Sequence, residues 1–448
     1  MKPPPLVFAL SVGLILFPTS TVPEAEQVVA CDGVGNCVLA AIDFSENALY
    51  GHVKLAVSND SGATWAEQFL PKTDLEQRDP SIVIRGSDVW IGVLDEIPGG
   101  ERESEQYASG GVDNDTRHVG SVGPKTSFPE RMILASSLTT CKTLIRDSQC
   151  DSDPLASNKL QFFPGDVSVC HGTLPLLQDL ACNPVFTFLS GFSADSPKIA
   201  IDQSSGELYA VWELFTGCGT KSCAGKYIAF SESADGVNWS APLQINPASQ
   251  IGVSWPQVTV SSGVIYVVYD YQLVNGHQHW CALSSDGVSF SAPVATTPIF
   301  QAPNYASIFR KNVSPAIAVS NGTLYDTFPA WTQGRSHIAV AVNGKMYKAD
   351  DSLTGQRFMP AIAIDSDGLL VLTWFDTRNS PSNVAQFDIY ASTSADGKLW
   401  AANTRITQSL GNAGKFLGDY SGLWCGTGAC QAVWNDGVNL QTATLGVP

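Results

Sequence analysis

Basic residues are scarce in this chain. Lys and Arg number 25 against 42 Asp and Glu over 448 residues, a formal charge of −17 at pH 7. That deficit argues against nucleic acid as a partner and against attraction to an anionic membrane surface. Long apolar runs are also lacking. The one of note, residues 6–17, follows a single lysine and is too short to span a bilayer, so no membrane insertion is expected. It reads as the core of a secretory signal peptide over residues 1–22, cleaved between residues 19 and 26. There is no phosphate loop, no Gly-x-Ser-x-Gly, no His-Glu-x-x-His and no basic stripe, and no glutamate follows Glu232. The nucleotide-binding, serine-hydrolase and zinc-peptidase signatures are therefore missing.

What the chain has in quantity is turn residues. With 39 Gly, 26 Pro, 44% apolar and 15% charged residues, the composition is globular, turn-rich and all-β. One short turn occurs four times: Ser58-Asn59-Asp60-Ser61-Gly62-Ala63-Thr64-Trp65, Ser233-Ala234-Asp235-Gly236-Val237-Asn238-Trp239, Ser284-Ser285-Asp286-Gly287-Val288-Ser289-Phe290 and Ser394-Ala395-Asp396-Gly397-Lys398-Leu399-Trp400. Ser and Asp side chains can accept from turn amides, Gly supplies the positive φ, and the aromatic tucks beneath. A second repeat interleaves with it. Pro80, Pro197, Pro256, Pro315 and Pro360 each open a run with β-branched residues at alternate positions, and most are followed by an aromatic-rich strand. Proline at the first position of a strand loses no needed donor.

The repeated unit is strand A, turn, strand B, loop, strand C, Asp-containing turn, strand D. Such units define a β-propeller of four-stranded blades. Units begin near Val28, Pro80, Pro197, Pro256, Pro315, Pro360 and Leu417, so seven blades are expected, or six if the terminal units merge. One domain over residues 27–448 follows, with irregular insertions at 97–129 and 150–194. Eleven cysteines fit an oxidising destination. Cys31/Cys37, Cys218/Cys223 and Cys425/Cys430 have hairpin-stapling spacing. Cys141/Cys150 and Cys170/Cys182 are plausible local pairs, and Cys281 is left over as a buried thiol. A secreted, monomeric protein is expected.

Strand parity places the A–B and C–D turns on one face and the B–C and D–A loops on the other, where both insertions fall. Long loops on a rigid scaffold present a site. Acids end strand B on that face: Asp43, Asp95, Glu96, Glu213, Asp270, Asp376 and Asp436, with Gln333 in the fifth unit. They read chiefly as strand-end caps, and the aromatics before them (Trp212, Tyr269, Trp374, Trp434) as blade-to-blade packing. Two elements stand at strand-A starts on the same face: Arg78-Asp79-Pro80 and Tyr420-Ser421-Gly422-Leu423.

In these two elements and the Asp-containing turns, the chain resembles the sialidase superfamily of Asp-box (BNR-repeat) propellers. The family's Arg-Ile-Pro element is similar to Arg78-Asp79-Pro80, with Asp79 replacing Ile. Its late Tyr-Ser-x-Leu element is similar to Tyr420-Ser421-Gly422-Leu423. The resemblance implies an exo-α-sialidase type of glycoside hydrolase acting on terminal acidic sugars of extracellular glycans or glycoproteins. In that scheme Tyr420 is the nucleophile, Glu213 activates it, Asp95 is the acid, and Arg78, Arg378 and Arg335 grip the substrate carboxylate. Paired guanidinium groups suit a carboxylate, and a neutral phenol avoids the repulsion a carboxylate nucleophile would meet. The alternative is a noncatalytic secreted propeller binding glycan or protein through its long-loop face. Neither reading calls for a cofactor. Asp365-Ser366-Asp367-Gly368 looks like a calcium-loop fragment but reads as a plain hairpin, and His277-Gln278-His279 as a polar loop-side pair rather than a metal pair.

Overall fold

A computed structural model describes residues 10–14, 25–43, 51–71, 76–96, 165–177, 179–187, 192–218, 223–305, 311–381, 385–412 and 417–447. The insertion at 97–129, the start of the second insertion, residues 19–24 of the expected cleavage region and the pair Cys141/Cys150 lie outside them.

Seven antiparallel sheets succeed one another along the chain, and no helix occurs among the described residues. The inner strands are Ala25–Cys31, Glu76–Arg85, Phe192–Ile201, Val253–Ser261, Ala316–Ser320, Arg357–Ile364 and Gly422–Cys425. Each packs on the next, and the last returns to the first, so the ring is closed. The chain is a seven-bladed β-propeller. Blade 6 carries a short extra strand, Gly411–Asn412.

The last unit forms its own sheet rather than merging with the first. Its fourth strand is Leu10–Leu14, paired antiparallel with Leu440–Gly446 so that Leu10 faces Leu445 and Leu14 faces Gln441. These residues fall inside the expected signal peptide. A chain that loses them keeps three strands in blade 7.

Residues 165–186 correct the reading of 150–194 as an irregular insertion. Gly165–Thr173 and Ala181–Phe186 are strands C and D of blade 2. The turn between them lacks the Ser-x-Asp-Gly frame, so it carries no repeat signal. The two strands are instead joined by the Cys170–Cys182 disulfide.

The repeated turns close as their chemistry requires. Ser58 Oγ accepts from the Gly62 amide at 2.8 Å, and Asp60 Oδ1 from the Thr64 amide at 2.8 Å. Ser233 and Asp235 repeat the pattern, as do Ser284 with Asp286 and Ser394 with Asp396. The indole N–H groups of Trp65, Trp239 and Trp400 donate to the turn glycine carbonyls of Gly62, Gly236 and Gly397.

Between blades lie apolar seams. Trp212 and Leu214 of blade 3 pack on Trp90, Leu94 and Val169 of blade 2, and Trp374 of blade 6 packs on Ile338 and Val340 of blade 5. Trp212, Tyr269 and Trp374 are wholly buried, so the aromatics that precede the strand-B acids are packing groups. Cys31–Cys37 and Cys425–Cys430 staple A–B hairpins, Cys218–Cys223 closes a B–C loop, and Cys281 is unpaired. Burial pushes the Cys281 thiol up to about 12, which leaves it inert as a nucleophile at neutral pH.

Candidate functional site at the propeller axis

The inner strands enter the axis through a repeated backbone kink. Glu26, Asp79, Ser196, Trp255 and Met359 all have φ between 48° and 56°, and the strand register breaks beside each one. In four of them the next residue is proline, which already disfavours helical backbone at the residue before it. A non-glycine residue held left-handed costs about 1–3 kcal/mol and persists only where the surroundings fix it. Buried carboxylates supply part of that hold. The Asp79 amide donates to Glu26 Oε2 at 3.1 Å, the Ser196 amide to Asp195 Oδ1 at 2.7 Å, and the Trp255 amide to Glu213 Oε1 at 2.8 Å.

Each kink turns the following residues onto the axis. Val28, Ser81, Lys198, Gln257 and Ala361, each two residues past a kink, line a depression of about 210 Å³ there, joined by Asn312, Ser314, Ala316, Asp419 and Tyr420.

Lys198 and Tyr420 meet in its lining. The Lys198 Nζ sits 3.6 Å from the Tyr420 ring centroid, inaccessible to solvent, and makes no hydrogen bond among the described residues. Burial pulls this ammonium's pKa down, opposed by the carboxylates of Asp79, Glu26, Asp419 and Asp195. The Tyr420 hydroxyl donates to the Pro80 carbonyl at 3.1 Å, and Asn312 Nδ2 donates to both the carbonyl and the carboxylate of Asp419. The structure therefore brings the two sequence elements together: Tyr420 rests against Arg78-Asp79-Pro80 across the axis.

The other expected site residues stand apart from the depression's lining. Glu213 is buried one strand outward and faces Asp195 across the sheet. Its carboxylate holds Lys226 Nζ at 2.8 Å in addition to the Trp255 amide, and Lys226 also donates to Ser254. Burial raises the Glu213 pKa against the pull of Lys226. Asp95 is buried in blade 2; burial raises its pKa, while bonds from Ser168 and Gln77 lower it.

Arg78 pairs with Glu76, its Nε 2.6 Å from Oε1. That partner is two residues back on the same strand. Arg378 holds Asp376 through Nε at 2.9 Å and Nη2 at 2.7 Å, and Asp351 through Nη1 at 2.7 Å, with its guanidinium stacked on Tyr390. Arg335, the first residue of Arg335–Val342, makes no ion pair among the described residues, and its buried Nε has no hydrogen-bond partner there.

Most strand-B acids face a base of their own blade: Asp43 with Lys54, Glu213 with Lys226, Asp270 with His277, and Asp376 with Arg357 and Arg378. Asp436 instead accepts from the amides of Val438 and Asn439 in its turn. The His277-Gln278-His279 pair is divided in the same way, His277 on Asp270 and His279 on Asp326. Asp365 accepts from the amides of Asp367 and Leu369, a plain turn. Among the described residues no cluster of His, Cys, Asp or Glu could hold a metal ion.

Sequence reasoning missed Lys198, Gln257, Asn312 and Glu26. The signal was present at the residue after the repeated proline, which reads Ser81, Lys198, Gln257, Ala316 and Ala361. A lone lysine in a column of small and neutral residues marks the axis.

No protein-family model matches the chain, and no curated protein matches it by sequence. Among solved structures it is similar to Trypanosoma rangeli sialidase in complex with the inhibitor DANA, at 14% identity over 90% of this chain and 60% of that one, with a TM-score of 0.48. It is also similar to the Hadza microbial sialidase Hz136, at 11% identity over 89% of this chain and 74% of that one, with a TM-score of 0.47. A protein of unknown function from Dyadobacter fermentans matches 58% of this chain at 13% identity and a TM-score of 0.37, with 96% of its own length covered. The chain spans about three fifths of the length of the Trypanosoma rangeli structures it matches. These likenesses are of fold.

Proposed function

We propose that this protein is a noncatalytic, extracellular glycan-binding propeller whose binding site is the axial depression. One observation carries the reading. Three of the groups that a sialidase-type reaction needs free are engaged internally: Glu213 by Lys226 and the Trp255 amide, Arg78 by Glu76, and Arg378 by Asp376 and Asp351. A guanidinium already held by two carboxylates has little hydrogen-bonding capacity left for a substrate carboxylate. The depression instead combines neutral donors and acceptors from Gln257, Asn312 and Ser314 with an apolar wall from Met359, Pro360 and Ile362. That mixture suits the two faces of a sugar ring. Four disulfides are consistent with an extracellular protein.

A second reading, hydrolysis of acidic sugars, keeps one observation in its favour: Tyr420 lies at the axis beside Arg78-Asp79-Pro80. Surface binding to immobilised glycans tests the binding proposal. Ser314→Trp fills the depression and is expected to weaken glycan binding about tenfold or more. Binding unchanged in that variant would place the contact elsewhere and defeat the proposal.

A further inference from the structure

Blade 7 is completed from the N-terminal part of the chain. In blades 1 to 6 the fourth strand follows the third in sequence, as Ala66–Phe69 follows His52–Ser58 and Lys345–Lys348 follows Arg335–Val342. In blade 7 that place is taken by Leu10–Leu14, antiparallel to Leu440–Gly446. The same five residues lie within the apolar core of the expected signal peptide. The two roles cannot both persist. Cleavage between residues 19 and 26 leaves Leu440–Gly446 as the outer edge of blade 7, and an open edge presents a row of backbone donors and acceptors to any extended segment.

The acceptor strand sets what fits beside it. Ala443 and Leu445 are wholly buried in the apolar seam with Phe387 and Ile389 of blade 6. Thr444 belongs to the other face, where Gln431 Nε2 donates both to its hydroxyl and to the Ser61 carbonyl in the turn of blade 1. Residues directly opposite each other in an antiparallel pair share a face. An incoming strand therefore meets the blade 6 seam at two alternate positions and the blade 1 turn at the one between. The first two call for aliphatic residues, the third for a small one. Leu10, Ser11 and Val12 stand opposite Leu445, Thr444 and Ala443, so the chain's own segment carries that pattern. We propose that blade 7 of the cleaved protein is a strand-acceptor site. Its ligand is an extended segment of another polypeptide, aliphatic at alternate positions and small between them, added antiparallel to Leu440–Gly446. Main-chain hydrogen bonds supply affinity in such an addition, and the alternate side chains supply selectivity. This surface is distinct from the axial depression and does not depend on the glycan-binding reading.

The test uses the full 448-residue chain, so no fragment has to fold alone. Val12→Pro removes a backbone donor from the resident strand and opens the edge without cleavage. A labelled peptide containing Leu-Ser-Val-Gly-Leu is titrated against wild type and variant, beside a second peptide with aspartate at its three aliphatic positions. The first peptide is expected to bind the variant about tenfold or more tighter than the uncleaved wild type. Its binding should slow hydrogen exchange in Leu440–Gly446 and leave the blade 6 strand Leu370–Asp376 unchanged, a localisation that a damaged fold would not give. The aspartate peptide should not bind. Protein recovered from the medium of secreting cells should have lost residues 10–14 by mass and should bind the first peptide as the variant does. Equal binding of the two peptides, no binding to the variant, or a secreted chain that retains residues 10–14 would overturn the inference. A secreted dimer with Leu440–Gly446 already protected, or the cleaved leader found still bound there, would give the edge to that occupant and overturn it as well.

Discussion

Replacing His279 with alanine is expected to destabilise the protein by about 3–5 kcal/mol, the range for breaking a buried ion pair from one side. The imidazole is wholly buried between blades 4 and 5. Its Nδ1 lies 2.9 Å and 3.0 Å from the two Asp326 oxygens, and its Nε2 lies 2.9 Å from the Val313 carbonyl. Both ring nitrogens face acceptors, so both donate, and the ring is held as the imidazolium. Burial lowers the His279 pKa, but Asp326 and the Val313 carbonyl outweigh it, and the net shift is upward from 6.5. A raised folded-state pKa gives stability that is fully present below the unfolded value and lost as pH rises through the folded one. Urea midpoints should therefore fall from pH 6 into the alkaline range in the wild type, and fall less steeply in His279→Gln. Identical pH profiles for the two would show that the ring is neutral.

Lys226→Met should cost a similar amount, about 3–5 kcal/mol near neutral pH, because it leaves the Glu213 carboxylate buried without its cation. The Trp255 amide alone would then hold that charge against the kink that opens blade 4. The pH dependence separates an architectural Glu213 from one waiting for substrate. Glu213 already has a raised pKa from burial, and losing Lys226 raises it further. Its protonated form is then favoured in the fold, so the variant's deficit shrinks on acidification and grows as pH rises through the folded pKa. A deficit that stays flat between pH 5 and pH 8 would mean that Glu213 does not depend on Lys226.

The blade repeat was legible because each unit carries local chemistry that any sequence reader can see. The strand-opening prolines located five of the seven inner strands to within a few residues, and the Ser-containing Asp turns marked four of the blades. Blade 2 hid its outer half because the turn between its last two strands has no such frame, and a disulfide holds the pair instead. The site was half legible. Strand parity put Arg78-Asp79-Pro80 and Tyr420 on one face, and the Tyr420–Pro80 hydrogen bond joins them.

The partners of two arginines lie two residues back along the chain, Glu76 on the same strand as Arg78 and Asp376 at the strand end just before the Arg378 turn. Lys198 was overlooked because its repeat was read for β-branched alternation rather than for which residue the kink turns onto the axis. No pattern along the chain could show the tertiary charge balance there, since Glu26, Asp79, Asp195, Lys198 and Asp419 come from four different blades.

Steady-state turnover of a fluorogenic sialoside, compared between the wild type and Tyr420→Phe, tests the central claim most directly. With Glu213, Arg78 and Arg378 engaged by Lys226, Glu76 and Asp376, release of the fluorophore should match the buffer rate in both proteins. Turnover by the wild type that Tyr420→Phe abolishes would contradict the account: it would make Tyr420 a nucleophile and the axial depression an active site.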